Sequence, residues 1–187
     1  MGEYLYGLGK GHQTIACVTL GTGIGAGLIV NGKIFHGGLN TAGEFGRQAV
    51  KVGGNLCNCG RRGCLEAHAG GLAIAKRAKE LFPEAITDIT VESVFNVADE
   101  GNEKAQSIIN VVHYTGVGLV NMINIISPER VIISGGISNA PDHLLLDPLN
   151  EFVTNQAYVS IADKLSIETS VLGDNAPLIG ASILYKQ

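Results

Sequence analysis

Cys57, Cys59 and Cys64 fall within eight residues, in the stretch GEFGRQAVKVGGNLCNCGRRGCLE that runs from position 43 to 66. Thiolates crowded in this way favour a metal site over three inert thiols, and the thiolate-rich sites of zinc are usually four-ligand and structural. The one-residue gap between Cys57 and Cys59 is tighter than in zinc fingers, and Gly60 and Gly63 permit the sharp loop that folds three sulfurs around one ion. A fourth ligand is not obvious. His68 follows Cys64 by four residues, which on a helix places the two on one face. By itself it reads as a polar surface residue ahead of a ligand or a sugar contact. Glu44 and Glu66 bracket the cysteines; each can accept hydrogen bonds from substrate hydroxyls, although most glutamates are simply surface carboxylates.

Two glycine turns offer a second chemistry. In LGTGIGAG (20–27), successive glycines let backbone amides approach an anion, with the Thr22 hydroxyl nearby. The pattern is neither a Walker A loop nor a Rossmann fingerprint. Phosphate binding at Gly21, Thr22 and Gly23 and a plain hairpin are balanced readings. ISGGIS (133–138) follows a strand; Gly135 and Gly136 would let a base or ribose lie on the backbone, but by itself it is an ordinary strand-to-helix turn.

The elements that must position these residues are legible. TIACVTL (14–20) is a β-branched strand, AGLIV (26–30) a second, and Asn31-Gly32 a hairpin turn into KIF. A helix is expected from near Cys64 to Leu81, interrupted at Gly70–Gly71 and stopped by Pro83. Thr90 caps a short helix that ends at Gly101. Apolar residues at helical spacing from Asn102 to Ile126 predict one long buried helix. ERVIISGG is a strand, 143–157 a helix, 164–171 a strand and 176–185 a closing helix. GEYLYGLGKG resembles the tail of a helix, as though cut from something longer. Alternating strands and helices predict an α/β fold with a mixed sheet.

Bulk properties bound the function. The 187 residues suffice for one domain with a real core, and 45% hydrophobic against 16% charged content predicts a globular protein. A net charge of −4 argues against nonspecific nucleic-acid binding. No uninterrupted apolar run reaches membrane-spanning length, and the start lacks the pattern of a signal peptide. Four cysteines, three of them clustered, fit a reduced cytoplasmic protein, with Cys17 a buried small hydrophobe.

Taken in order, LGTGIGAGLIVNGKIFHG, AGEFG, CNCGRRGCLE, VIISGGIS and DNAPLIGASIL resemble the ROK family of repressors, open reading frames and sugar kinases, over essentially the whole chain. The resemblance implies an actin-like, ribonuclease H-like ATPase fold and ATP-dependent phosphorylation of a hexose or N-acetylhexosamine, with Mg²⁺ on the phosphates. It makes Gly21, Thr22 and Gly23 a phosphate turn, Gly135 and Gly136 the adenosine side, and Glu44 and Glu66 sugar ligands. Cys57, Cys59 and Cys64 become structural zinc ligands. The family's catalytic aspartate has no counterpart in residues 1–187, which predicts the larger C-terminal domain of a two-domain kinase, inactive alone. Arg47 stands where the family carries a histidine that ligates zinc and touches sugar. Arginine cannot ligate, so either His68 or water completes the site or zinc binding is weakened, leaving Arg47 to donate to a sugar. A homodimer is expected, with no membrane or nucleic-acid contact through this domain. The alternative parent is a ROK transcriptional repressor, of which this would be the effector-binding and dimerisation domain.

Overall fold

The computed structural model describes residues 1–84, 89–108, 111–158, 164–173 and 175–184. Five strands, β1 (Ile15–Leu20), β2 (Ile24–Val30), β3 (Lys33–Ile34), β4 (Arg130–Ser134) and β5 (Ser166–Thr169), form one mixed sheet in the order β3-β2-β1-β4-β5. The first three strands are antiparallel; β4 runs parallel to both β1 and β5. The predicted second strand begins two residues earlier than expected, at Ile24, because its ladder with β1 continues to the Leu20↔Ile24 pair. The glycine turn is thereby shortened to Gly21–Gly23. Asn31 and Gly32 both have positive φ, 51° and 73°, as the hairpin signal requires.

Side chains alternate across the sheet with the strand period of two. Ala16, Val18, Leu20, Val131, Ile133 and Ile167 face the main core, whereas Ile15, Cys17, Ile29 and Ile132 face the other way, toward Met1, Tyr4 and Leu8. The second face is covered by helix α1 (Gly2–Tyr6). Cys17 is half-buried there, not sealed in the core as the sequence suggests; burial still pushes its thiol up to about 11.

The main core is closed by α2 (Glu66–Ala69), α3 (Gly71–Leu81), α4 (Val91–Asp99), α6 (Val111–Ile126) and α7 (Leu146–Gln156), with α5 (Glu103–Ile108) packed against α3 and α4. Gly70, in extended backbone, separates α2 from α3 at the predicted interruption. Thr90 and Ser93 cap α4 reciprocally. The long helix predicted over 102–126 is described as α5 and α6, residues 109–110 lying outside the described residues. By length and composition Glu103–Ile126 would suffice to cross a membrane; Leu119 and Ile123 within it are fully buried against the other core residues. The closing helix is α8 (Asn175–Leu184).

Glu3 ties the start of the chain to its end. Its side chain, 4% exposed, accepts hydrogen bonds from the Leu8 N–H (3.1 Å), the Leu172 N–H (3.4 Å) and the Ser170 hydroxyl. Hydrogen bonds to a charged group contribute about 1.5–3 kcal/mol each, and orphaned buried donors cost more. Glu3→Ala is therefore expected to lower unfolding free energy by about 2–3 kcal/mol in a urea titration, with Glu3→Gln recovering part of it. A loss below about 0.5 kcal/mol would show that α1 is not held through this carboxylate.

Candidate functional site

The cysteine segment is anchored at both ends on one helix. Phe45, 4% exposed, and Leu65, fully buried, both lie against Gly118 of α6, where a side chain would collide with them. Phe45 opens the 3₁₀ turn that carries Arg47; Leu65 stands between Cys64 and Glu66. Two isolated β-bridges, Ala49↔Cys64 and Leu56↔Arg62, then double the intervening chain back on itself. The Cys57 N–H donates to the Arg61 carbonyl at 2.8 Å and the Gly60 N–H to the Cys57 carbonyl at 2.9 Å, which closes the tip.

This brings all three predicted sulfurs together. The Sγ atoms of Cys57, Cys59 and Cys64 lie within 4.8 Å of one another, with Cys59 and Cys64 at 3.6 Å. Tetrahedral Zn–S bonds of about 2.3 Å separate two sulfurs by about 3.8 Å, so the cluster fits three corners of a zinc site. The thiols differ in charge cost. The Arg61 backbone N–H, then its guanidinium, draw Cys59 down to about 6. Burial pushes Cys64 up to about 11. Metal binding would displace the Cys64 proton to solvent.

Arg47 is the hub of the remaining site. Its Nη1 donates to Cys57 Sγ at 3.1 Å and to Glu66 Oε1 at 2.7 Å, and its Nε lies 3.6 Å from Glu44 Oε2. Cys57 first and Glu66 second raise its already high pKa further. The second Glu66 oxygen, Oε2, accepts the Ile24 N–H at 2.9 Å, immediately after the glycine turn. Glu44 is largely exposed. His68 stands apart from this arrangement. Its Nε2 accepts the Asn55 N–H at 3.2 Å, and its ring lies 4.5 Å from that of Tyr114. Burial first, and Lys51 second, lower its pKa. Among the described residues no fourth ligand side chain joins the three cysteines.

The two glycine turns, 114 residues apart, are also brought together. In the parallel β1–β4 ladder Thr19 is paired with Ser134, and their hydroxyls lie 3.2 Å apart. Gly21 and Gly135 thus emerge at adjacent carboxyl ends of parallel strands, the place where open α/β sheets bind ligands. The Gly71 N–H at the start of α3 donates to the Gly21 carbonyl at 2.8 Å, fixing the first turn. Sequence reasoning missed Arg61 and the Ile24 N–H. A cation inside a run of thiols is a usable signal for the first; a backbone donor leaves none.

The sequence matches the ROK family over residues 1–187. It is 35% identical to the glucokinase of Halalkalibacterium halodurans, across 100% of this chain and 60% of that protein. It is 31% identical to the Bacillus subtilis xylose repressor, across 97% of this chain and 46% of the repressor. In three dimensions it resembles a ROK glucokinase from Streptomyces griseus solved with glucose and AMPPNP, with a TM-score of 0.85, 30% identity, and coverage of 98% of this chain and 64% of that one. The fold is therefore that of a portion of the ROK kinases, an actin-like ATPase fold. The chain spans less than two thirds of the length of these relatives.

Proposed function

The chain belongs to the ROK family, and from that membership we propose that it is the sugar- and nucleotide-binding C-terminal domain of an ATP-dependent hexose kinase of glucokinase or N-acetylhexosamine kinase type. One observation carries the reading: Glu66 Oε2 bonds the Ile24 N–H at 2.9 Å, directly after the Gly21–Gly23 turn. A carboxylate suited to sugar hydroxyls is thereby fixed against a turn suited to phosphate. Phosphoryl transfer depends on holding acceptor and donor next to each other, with little covalent work for the protein. Glu66 keeps unused lone pairs for a hydroxyl, and Glu44 projects a second carboxylate from the same loop. Gly135 and Gly136 border the nucleotide from β4. Mg²⁺ would accompany ATP, and zinc on the cysteines would stiffen the loop that carries both glutamates. The general base that takes the hydroxyl proton is assigned to no residue between 1 and 187. The expected setting is the cytoplasm, where clustered thiols remain reduced, and the expected assembly a homodimer.

The identity to a xylose repressor supports a second reading, a sugar effector domain without nucleotide chemistry. Calorimetric titration of this chain separates the two. Mg·AMPPNP is expected to bind and to tighten glucose binding several-fold, with no glucose turnover by the chain alone. Binding of sugar with no response to millimolar nucleotide would favour the effector domain.

A further inference from the structure

Closed structural zinc sites present four protein ligands, whereas sites that keep one position open exchange it with solvent or another ligand. We propose that Cys57, Cys59 and Cys64 form a three-thiolate metal site whose fourth position is exchangeable, lying beside Arg47 and filled by solvent or a small anion instead of a side chain. The proposal rests on reading the cysteines as a metal site and goes beyond it.

Three sulfurs meet at zinc-compatible separations, and among the described residues no histidine or carboxylate completes the group. Arg47 approaches Cys57 Sγ to 3.1 Å but carries only donors and stays protonated, so it can flank the metal and never bind it. It also answers the charge. A divalent ion with three thiolates retains one net negative charge, which a neutral imidazole would leave standing and a guanidinium cancels. His68, the nearest candidate in sequence, has its Nε2 engaged by the Asn55 N–H and its ring against Tyr114. Gly54 closes on the same nitrogen: a Cβ there would come within 2.4 Å of it. Cys59 is exposed, so the tip of the loop is open to a small ligand. Such a ligand would meet Arg47 as a ready donor, since charge-assisted hydrogen bonds favour anions.

Cobalt(II) added to the reduced, metal-free chain tests this directly. Expected are thiolate-to-cobalt absorption of a three-sulfur site and ligand-field bands that shift when cyanide is added. His68→Ala should leave affinity and spectrum unchanged; His68→Phe, which keeps a ring against Tyr114, guards against a folding defect in the first variant. Arg47→His should supply a fourth ligand, abolish the cyanide response and slow zinc transfer to a chelator by about tenfold or more. Cobalt uptake with bands that ignore cyanide, or with a spectrum altered in both His68 variants, overturns the open position while leaving the metal reading intact. Absence of any thiolate-to-cobalt absorption overturns both.

Discussion

Gly63→Ala is expected to empty the cysteine site while the sheet stays folded. Gly63 has φ +82°, and a Cβ on it would stand 1.8 Å from the Lys51 carbonyl oxygen and 2.8 Å from its carbon. Both obstacles are backbone and cannot rotate away. The same residue pins the loop: its N–H donates to the Asn55 carbonyl at 2.9 Å, and its carbonyl accepts from Val50 at 2.9 Å. To accept a methyl group the loop segment carrying Lys51 must retreat by more than an ångström, and Cys64, the residue after Gly63, moves with it. The strain and lost pairing should cost about 3 kcal/mol or more. Metal content after dialysis against zinc should fall below about 0.2 equivalents, since binding and loop folding are one equilibrium. Gly60→Ala is the control. Gly60 has a similar φ, +84°, but nothing within 4 Å of its Cβ, so only the left-handed backbone is penalised, at about 1–2 kcal/mol. That variant should take up zinc as the parent does. Full zinc in Gly63→Ala would show that the loop is not closed as described.

Gly135 and Gly136 are expected to behave oppositely, although adjacent. A Cβ on Gly135 would lie 2.5 Å from the Leu20 carbonyl oxygen, and its φ is +89°. Because Leu20 ends β1 beside the parallel strand β4, Gly135→Ala wedges the central ladder and should lower unfolding free energy by about 2–4 kcal/mol. Gly136 has nothing within 4 Å and no positive φ. Gly136→Ala should therefore melt with the parent yet, on the proposed adenosine-side assignment, bind Mg·AMPPNP at least tenfold more weakly, because its methyl would fill space assigned to the nucleotide. Unchanged nucleotide affinity would remove Gly136 from the proposed adenosine side. A destabilised Gly136→Ala would contradict the open surroundings of that residue.

The loop residues show how far local pattern reaches. The cysteine spacing and its glycines announced a shared ion because sulfur ligation of zinc needs close thiols on a sharply turning backbone, and the structure brings the three sulfurs within 4.8 Å. Position 47 announced a missing ligand and a donor for a sugar, but none of its partners within the chain. The Arg47 bridge between Cys57 and Glu66 depends on where α6 seats Phe45 and Leu65, a contact made by residues more than fifty positions away.

By itself, the sequence determined the elements. A β-branched apolar run made β1, the apolar run before Gly135 made β4, Asn31-Gly32 made the hairpin, Thr90 made a cap, and the cysteine and glycine motifs marked the chemistry. These are local signals, because side-chain period, turn conformation and ligand spacing act over a few residues. Tertiary structure alone decided that Gly21 and Gly135 open at neighbouring strand ends, and that the second Glu66 oxygen reaches the Ile24 N–H. It also decided that His68 turns to Asn55 and Tyr114. The parallel pairing of β1 with β4 spans more than a hundred residues, and the glutamate's partner is a backbone donor that every non-proline residue offers alike. No local pattern selects either; the packing of the whole sheet and of α6 does.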